Sequence, residues 1–311
     1  MKVYDVFVDG SAGTTGLQIF QRLEKRGDIR LMTLPEEKRK DPSARREAIN
    51  SADLVFLCLP DDAAVESATM VENDTTRVID ASTAHRTAQG WTYGFPELDG
   101  KQRQKIANAR FVANPGCHAT GAISVTAPLV ALGILPGDYP LVIYSLTGYS
   151  GGGKKMIAQY ESPEKTRDLY APRIYGLNQE HKHLKEITAV SGLEREPVFC
   201  PIVDDYYAGM ATSICLHNGF LAKEYTARDI QKALCEWYAG QRFVSVAEFT
   251  DSGFIESNKN VGTNELTITV SGNSERTLVT ARFDNLGKGA SGAAVQNMNI
   301  MLGLPEETGL E

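Results

Sequence analysis

Cys117 stands where the chain turns sharply. It follows Asn114-Pro115-Gly116 at the end of a short apolar run, Phe111-Val112-Ala113, and opens a stretch of helical character. Asn-Pro-Gly is turn chemistry, so the thiol emerges on the first turn of a helix, where the positive end of the macrodipole favours thiolate. That is the setting of a nucleophile. Thr120 and Gly121 are small and are expected to leave space over the sulfur. The remaining cysteines, Cys58, Cys200, Cys215 and Cys235, read as small buried hydrophobes. The five cysteines together are odd in number with no CxxC, which speaks against a disulfide framework and against a cysteine metal site.

A nucleophilic thiol needs a proton partner near neutral pH, and histidine is the residue for it. His118 follows the cysteine and is expected to point elsewhere on the new helix. His217 closes a strand beside Asn218-Gly219, a turn. His181 and His183 stand together in Asn178-Gln179-Glu180-His181-Lys182-His183-Leu184. Two imidazoles at this spacing suggest a metal, but no third ligand stands at a suitable distance in the chain and no metal is expected. They fit acid/base chemistry better, and spacing does not choose between them.

The third constellation is Gly10-Ser11-Ala12-Gly13-Thr14-Thr15-Gly16, directly after the apolar strand Val3 to Val8 and at the mouth of a helix. In that context Gly10 makes a tight turn, Gly13 lets backbone approach a pyrophosphate, and Gly16 lets helix and strand pack closely. Helix N-terminal amides supply the anion site. The spacing is GxxGxxG, not the commoner GxGxxG. No acid stands at the tip of the second strand, Thr33-Leu34-Pro35, to hold a ribose hydroxyl. Lys38, Arg39, Lys40, Arg45 and Arg46 follow instead, which suits a 2′-phosphate and favours NADP(H) over NAD.

The elements around these residues set the fold class, α/β. The first ~80 residues alternate apolar strands (Val3–Val8, Ile29–Leu34, Leu54–Leu59, Arg77–Ala81) with helices (14–26, 43–50, 61–72), the signature of a Rossmann-type, doubly wound parallel sheet. After a helix at 118–133 come strands at Leu141–Leu146, 198–203, 209–216, 243–247, 265–270 and 277–283. One clear helix, 225–239, interrupts the later strands. This half reads as an α+β domain with a mostly antiparallel sheet, able to pair across a two-fold axis. The tail from 287 turns helical again. The expected division is a dinucleotide-binding domain at 1–117, completed by 287–311, and a catalytic, substrate and oligomerisation domain at 118–286.

Composition narrows the function classes. The 32 basic against 39 acidic side chains give a formal charge of −7, which argues against nucleic acid as a partner. No apolar run has the length of a membrane span, and the start, Met1-Lys2-Val3-Tyr4-Asp5, does not read as a targeting peptide. A cytoplasmic enzyme is expected.

With these motifs in hand, the chain resembles the short-form N-acetyl-gamma-glutamyl-phosphate reductases of the semialdehyde dehydrogenase-like superfamily, essentially end to end. The resemblance rests on Asp9 to Gly16, on Asn114 to Cys117, on Gly148-Tyr149-Ser150-Gly151-Gly152-Gly153-Lys154 and on the long run Asp284 to Asn299. It departs at His118-Ala119, where an aromatic-Pro pair is usual, and at Leu184-Lys185-Glu186, where Pro-Glu is expected. The resemblance implies NADPH-dependent reduction of an acyl phosphate to N-acetylglutamate 5-semialdehyde in arginine biosynthesis, through a thioester on Cys117. His181 assists as acid/base, with His183 as its substitute. It also implies that the segment from Lys288 to Asn297 returns to the cofactor domain, with Gln296 among the cofactor contacts and Arg39 at the 2′-phosphate. Substrate contacts fall to Asn114, Ser150, Lys154 and Arg173, with Lys155 a further cation. The partners implied are a small acyl phosphate and inorganic phosphate, in a homodimer or homotetramer. The alternatives are a semialdehyde dehydrogenase for aspartyl or aminoadipyl phosphate, and a non-catalytic NADP-binding regulatory protein.

Overall fold

The computed structural model describes residues 2–11 and 13–310, so Ala12 of the glycine loop lies outside the described residues. The chain divides into two compact units: residues 1–96, 100–115 and 290–311 form the first, and residues 97–99 and 116–289 the second.

In the first unit the chain runs β1 (Tyr4–Asp9), α1 (Thr14–Leu23), β2 (Ile29–Met32), α2 (Pro42–Ser51), β3 (Leu54–Leu57), α3 (Asp61–Thr69), β4 (Arg77–Asp80), β5 (Thr92–Tyr93), α4 (Gln102–Asn108) and β6 (Phe111–Ala113). The six strands lie in the order β2-β1-β3-β4-β6-β5, and every pairing is parallel. The near-continuous apolar strands demand cover on both faces, as in β3, where all four residues are buried. α2 starts where Asp41 caps the amides of Ser43 and Ala44 and Pro42 occupies the first turn. The order reverses at β1, flanked by β2 and β3, and the crevice beyond the carboxyl ends of such strands is where doubly wound sheets take ligands. Cys58 lies one residue past β3. Burial pushes its thiol up to about 12, so it is inert.

The second unit contains α5 (Cys117–Ala131), β7 (Val142–Gly148), α6 (Gly153–Tyr160), β8 (Arg173–Ile174), α7 (Leu184–Ser191), β9 (Val198–Asp204), β10 (Met210–His217), α8 (Ala227–Trp237), β11 (Val244–Val246), β12 (Leu266–Gly272) and β13 (Arg276–Phe283). Its seven strands run β11-β12-β13-β10-β7-β9-β8. Four pairings are antiparallel, and two are parallel. α5 is buried without interruption from His118 to Leu129, and Gly121 explains how it approaches the sheet. A Cβ there would stand 2.4 Å from Thr212 Oγ1 and 2.9 Å from Phe283. Packing of the helix on the sheet is therefore what requires Gly121 to be small. Two helices of this unit escaped the sequence reading, α6 and α7, each eight residues long, as did the seven-residue α4 of the first, all too short to declare a period. Cys215, expected inside, is exposed, because strand alternation turns it to the opposite face from buried Ile214 and Leu216.

The chain closes with α9 (Gly292–Leu302), preceded by a π-helical turn at Gly287–Ser291. α9 belongs to the first unit. Arg26 ties it down, donating to Asn299 Oδ1 at 2.8 Å and to the Thr308 carbonyl at 3.0 Å, while pairing with Asp28 at 2.7 Å.

Candidate active site

Cys117 is the first residue of α5. Gly116 is its N-cap, so the thiol stands at the positive end of the helix dipole, where an anion is favoured. The turn before it is held by a residue that the sequence reading missed. The backbone N–H of Gly116 donates to Glu186 Oε2 at 3.2 Å, and Glu186 is buried in the first turn of α7. Across the thiol lies the π-helical turn: a Cβ on Gly289 would come within 3.1 Å of Cys117 Cβ. π-turns of this kind recur at functional sites. Lys288, in the same turn, is fully buried with its Nζ 2.8 and 2.9 Å from the two oxygens of equally buried Glu97.

The histidines meet here, and His118 with them. Ring centroids lie 4.7 Å apart for His181 and His183, 5.6 Å for His118 and His181, and 5.8 Å for His118 and His183. His118 was expected to point away, but the loop carrying His181 and His183 wraps onto its side of α5. Its Nδ1 lies 2.6 Å from Ser145 Oγ and its Nε2 2.6 Å from Tyr175 Oη. Burial, with a smaller contribution from His181, holds its pKa down at about 3, so it is neutral. The His118 nitrogens are committed to hydroxyls, and among the described residues no three His, Cys, Asp or Glu side chains form a metal-holding group.

His183 is buried at the N-cap of α7 and His181 is half-buried. The backbone N–H of His183 donates to His181 Nδ1 at 3.2 Å, which leaves Nε2 as the protonated nitrogen of neutral His181. His183 and Glu186 stand three residues apart at the start of α7, a spacing that puts side chains on one helix face. The loop is pinned to β9 by Gln179, whose amide donates to the Phe199 carbonyl and accepts from the Phe199 N–H, both at 2.9 Å. Gln179 is the one described non-glycine residue with positive φ, at 59°, a conformation retained where surrounding contacts enforce it.

In the first unit the glycine loop is shaped as its spacing implies. Gly10 has φ +88°, and a Cβ would strike the Cys58 carbonyl at 2.3 Å. Gly16 would strike the Gly10 carbonyl at 2.5 Å, whereas a Cβ on Gly13 would meet nothing nearer than 3.5 Å. Protein packing thus dictates Gly10 and Gly16, while a Cβ at Gly13, the N-cap of α1, would make only ordinary contacts, and Gly13 is exposed. Ser11, Thr14 and Thr15 are half-exposed beside it. This cradle fits the pyrophosphate of a dinucleotide. Of the cations after β2, Lys38, Arg39 and Lys40 are exposed, but Arg45 is buried and donates to Asp9 Oδ2 at 3.0 and 3.2 Å, since a carboxylate buried at the end of β1 needs a counter-ion. Arg46 pairs with Glu72 at 3.4 Å. Gln296 is fully buried and donates to Glu306 Oε1 at 2.7 Å.

The expected substrate contacts belong to both units. Asn114 is buried in the first unit, donating to the Ala290 carbonyl at 3.0 Å and accepting from Asn297 at 3.2 Å. Ser150 is buried in the second unit and accepts from Asn285 Nδ2 at 3.0 Å. Arg173 lies against Tyr160, donating to its hydroxyl at 3.0 and 3.2 Å, and Lys154 and Lys155 are exposed on α6.

Two family models match the chain: semialdehyde dehydrogenase, NAD binding domain, over residues 35–109, and semialdehyde dehydrogenase, dimerisation domain, over residues 117–285. A curated relative, N-acetyl-gamma-glutamyl-phosphate reductase 2 of a Nostoc species, is 49% identical over 98% of both chains. The Pseudomonas putida protein of the same name is 49% identical over 96% of both, and the Chelativorans N-acetyl-gamma-glutamyl-phosphate reductase 48% over 96% of this chain and 97% of its own. Among solved structures, aspartate semialdehyde dehydrogenase II of Vibrio cholerae superposes with a TM-score of 0.72 at 13% identity, covering 97% of this chain and 99% of its own. The Candida albicans aspartate semialdehyde dehydrogenase with NADP gives 0.66 at 15% identity over 97% and 99%. At such identities these two show a common fold.

Proposed function

Because the chain belongs to the N-acetyl-gamma-glutamyl-phosphate reductase family, we propose that it reduces N-acetylglutamyl 5-phosphate to N-acetylglutamate 5-semialdehyde with NADPH, in arginine biosynthesis. The observation that carries this reading is identity of nearly half over almost the whole length of reductases with that name. In the cell we assign it to the cytoplasm; among the described residues no helix is long and apolar enough to cross a membrane.

The glycine loop, residues 10–16, would hold the dinucleotide phosphates on the N-terminus of α1, with Arg39 at the 2′-phosphate and Gln296 supporting the site from α9. What bound NADPH contributes is the hydride. Cys117 attacks the acyl carbon as thiolate, with the α5 amides favouring the anion. A tetrahedral adduct forms, phosphate leaves, and the acyl group remains on sulfur as a thioester. Reduction of that thioester returns the thiolate and frees the aldehyde. We assign the acid/base role to His183, supported by the helix face it shares with buried Glu186. His181 presents its Nε2–H as a donor to the substrate. Arg173 and Lys154 are proposed for the anionic groups of the substrate, and Asn114 and Ser150 for shaping the pocket walls.

We also propose a homodimer through the outer face of the second sheet. That face exposes Tyr144, Ile174, Val198 and Leu278, apolar side chains on four strands that a partner copy would cover.

The reverse reaction tests the reading. Protein, NADP, phosphate and N-acetylglutamate semialdehyde are mixed and nicotinamide absorbance is followed. A phosphate-dependent rise, with little from aspartate semialdehyde, is expected. A rise with another aldehyde alone would move the substrate, and none with any aldehyde, despite NADP binding, would leave a binding protein.

A further inference from the structure

Four hydrogen-bonding side chains run in series through the second unit to the Cys117 site. Thr212 Oγ1 lies 2.8 Å from Ser145 Oγ, Ser145 Oγ 2.6 Å from His118 Nδ1, and His118 Nε2 2.6 Å from Tyr175 Oη. The direction of the chain follows from counting hydrogens. Thr212 is fully buried, and among the described residues Ser145 is the one partner of its hydroxyl. A buried O–H without an acceptor is costly, so Thr212 donates to Ser145. The single Ser145 hydrogen then goes to His118 Nδ1. Neutral His118 carries its proton on the other nitrogen, so Nε2–H donates to Tyr175 Oη. The phenol is the acceptor in that bond, and its own hydrogen is left for the half-exposed side of Tyr175.

We propose that Tyr175 is a further catalytic residue, its phenol donating a hydrogen bond to the oxyanion of the tetrahedral adduct on Cys117, with His118, Ser145 and Thr212 as the positioning residues that aim it. The Tyr175 ring lies 6.0 Å from His181, and its partner His118 is the residue after the nucleophile. Burial, and then the charge of Cys117, push the phenol up, so it keeps its proton throughout and acts as a donor. The inference rests on the reading of Cys117 as nucleophile.

The test uses the full chain in the reverse reaction, together with alkylation by iodoacetamide, a displacement that forms no oxyanion. Tyr175→Phe is expected to lower kcat about 10²-fold, the usual effect of losing one oxyanion donor, with KM for NADP and the rate of Cys117 alkylation unchanged. Ser145→Ala is expected to lower kcat about tenfold in the wild type and to have no further effect in the Tyr175→Phe background. Less than a tenfold loss in Tyr175→Phe overturns the proposal. So does a Ser145→Ala loss that matches, within twofold, in both backgrounds. If the wild type keeps turning over after Cys117 is alkylated, it is the nucleophile reading that has failed.

Discussion

The Gly116 amide and the Glu186 carboxylate meet at 3.2 Å, so a charge from the start of α7 is anchored one residue before the thiol. The same helix turn carries His183. If these two act together, His183→Ala lowers kcat by about 10² to 10⁴, the range of a general acid/base, and Glu186→Gln by at least about tenfold, since an amide keeps the Gly116 bond but not the charge. His181→Ala is expected to act mainly on KM. Steady-state kinetics of the three variants decide it; a large kcat loss confined to His181→Ala would return the role to that residue.

Gly289 is dictated by what faces it. A Cβ would stand 3.1 Å from both Cys117 Cβ and Phe283 Cε2, so Gly289→Ala must displace one of them by a few tenths of an ångström. Reaction rates depend steeply on such placement. Turnover and Cys117 alkylation are both expected to fall about tenfold while the melting temperature changes little. Unchanged alkylation would mean that Phe283 gives way instead.

The Lys288–Glu97 pair is buried on both sides. Removing either partner takes a buried, directly bonded opposite charge from the other, so Lys288→Met and Glu97→Gln are each expected to cost about 3–5 kcal/mol in urea unfolding. The double replacement by Met is expected to recover most of it, because well-packed apolar groups replace such pairs at little cost. Single variants within about 1 kcal/mol of the wild type would show that water reaches the pair.

His118 makes stability depend on pH. The unfolded imidazole takes up its proton near pH 6.5 and the folded one near pH 3. Between those values the unfolded chain holds the extra proton, so stability falls as pH falls, by about 1.4 kcal/mol per unit from this group. Between pH 7.5 and 5.0 the His118→Asn variant should lose about 2 kcal/mol less than the wild type. Equal losses would show that His118 titrates as an ordinary surface histidine.

Much of this was legible in the chain. Strands of four to eight residues with strong apolar bias announced both sheets, and the glycine spacing announced the turn after β1, because Gly10 and Gly16 are set by local backbone collisions. What sequence could not supply were contacts made by distant segments. Glu186 looked like one more charge on a short helix until α7 packed beside α5, although its place three residues after His183 was a signal. His118 was misjudged because helical spacing gives a direction from an axis, not what loop will arrive there. Arg45 joined a row of cations on paper and is withdrawn from it by Asp9, a partner 36 residues away.

The division of the chain bears on how the protein is made. Residues 97–99 belong to the second unit and residues 290–311 to the first. The parallel sheet emerges from the ribosome ahead of the second unit, yet α9, with the Arg26 contacts that fasten it, is synthesised after that unit. The first unit must wait, incomplete, while the whole second unit is translated. Glu97 emerges long before Lys288, so the buried pair can form only after most of the second unit has been translated. The order of translation thus opposes finishing the first unit alone, and residues 290–311 can complete it only after residues 116–289 have been translated.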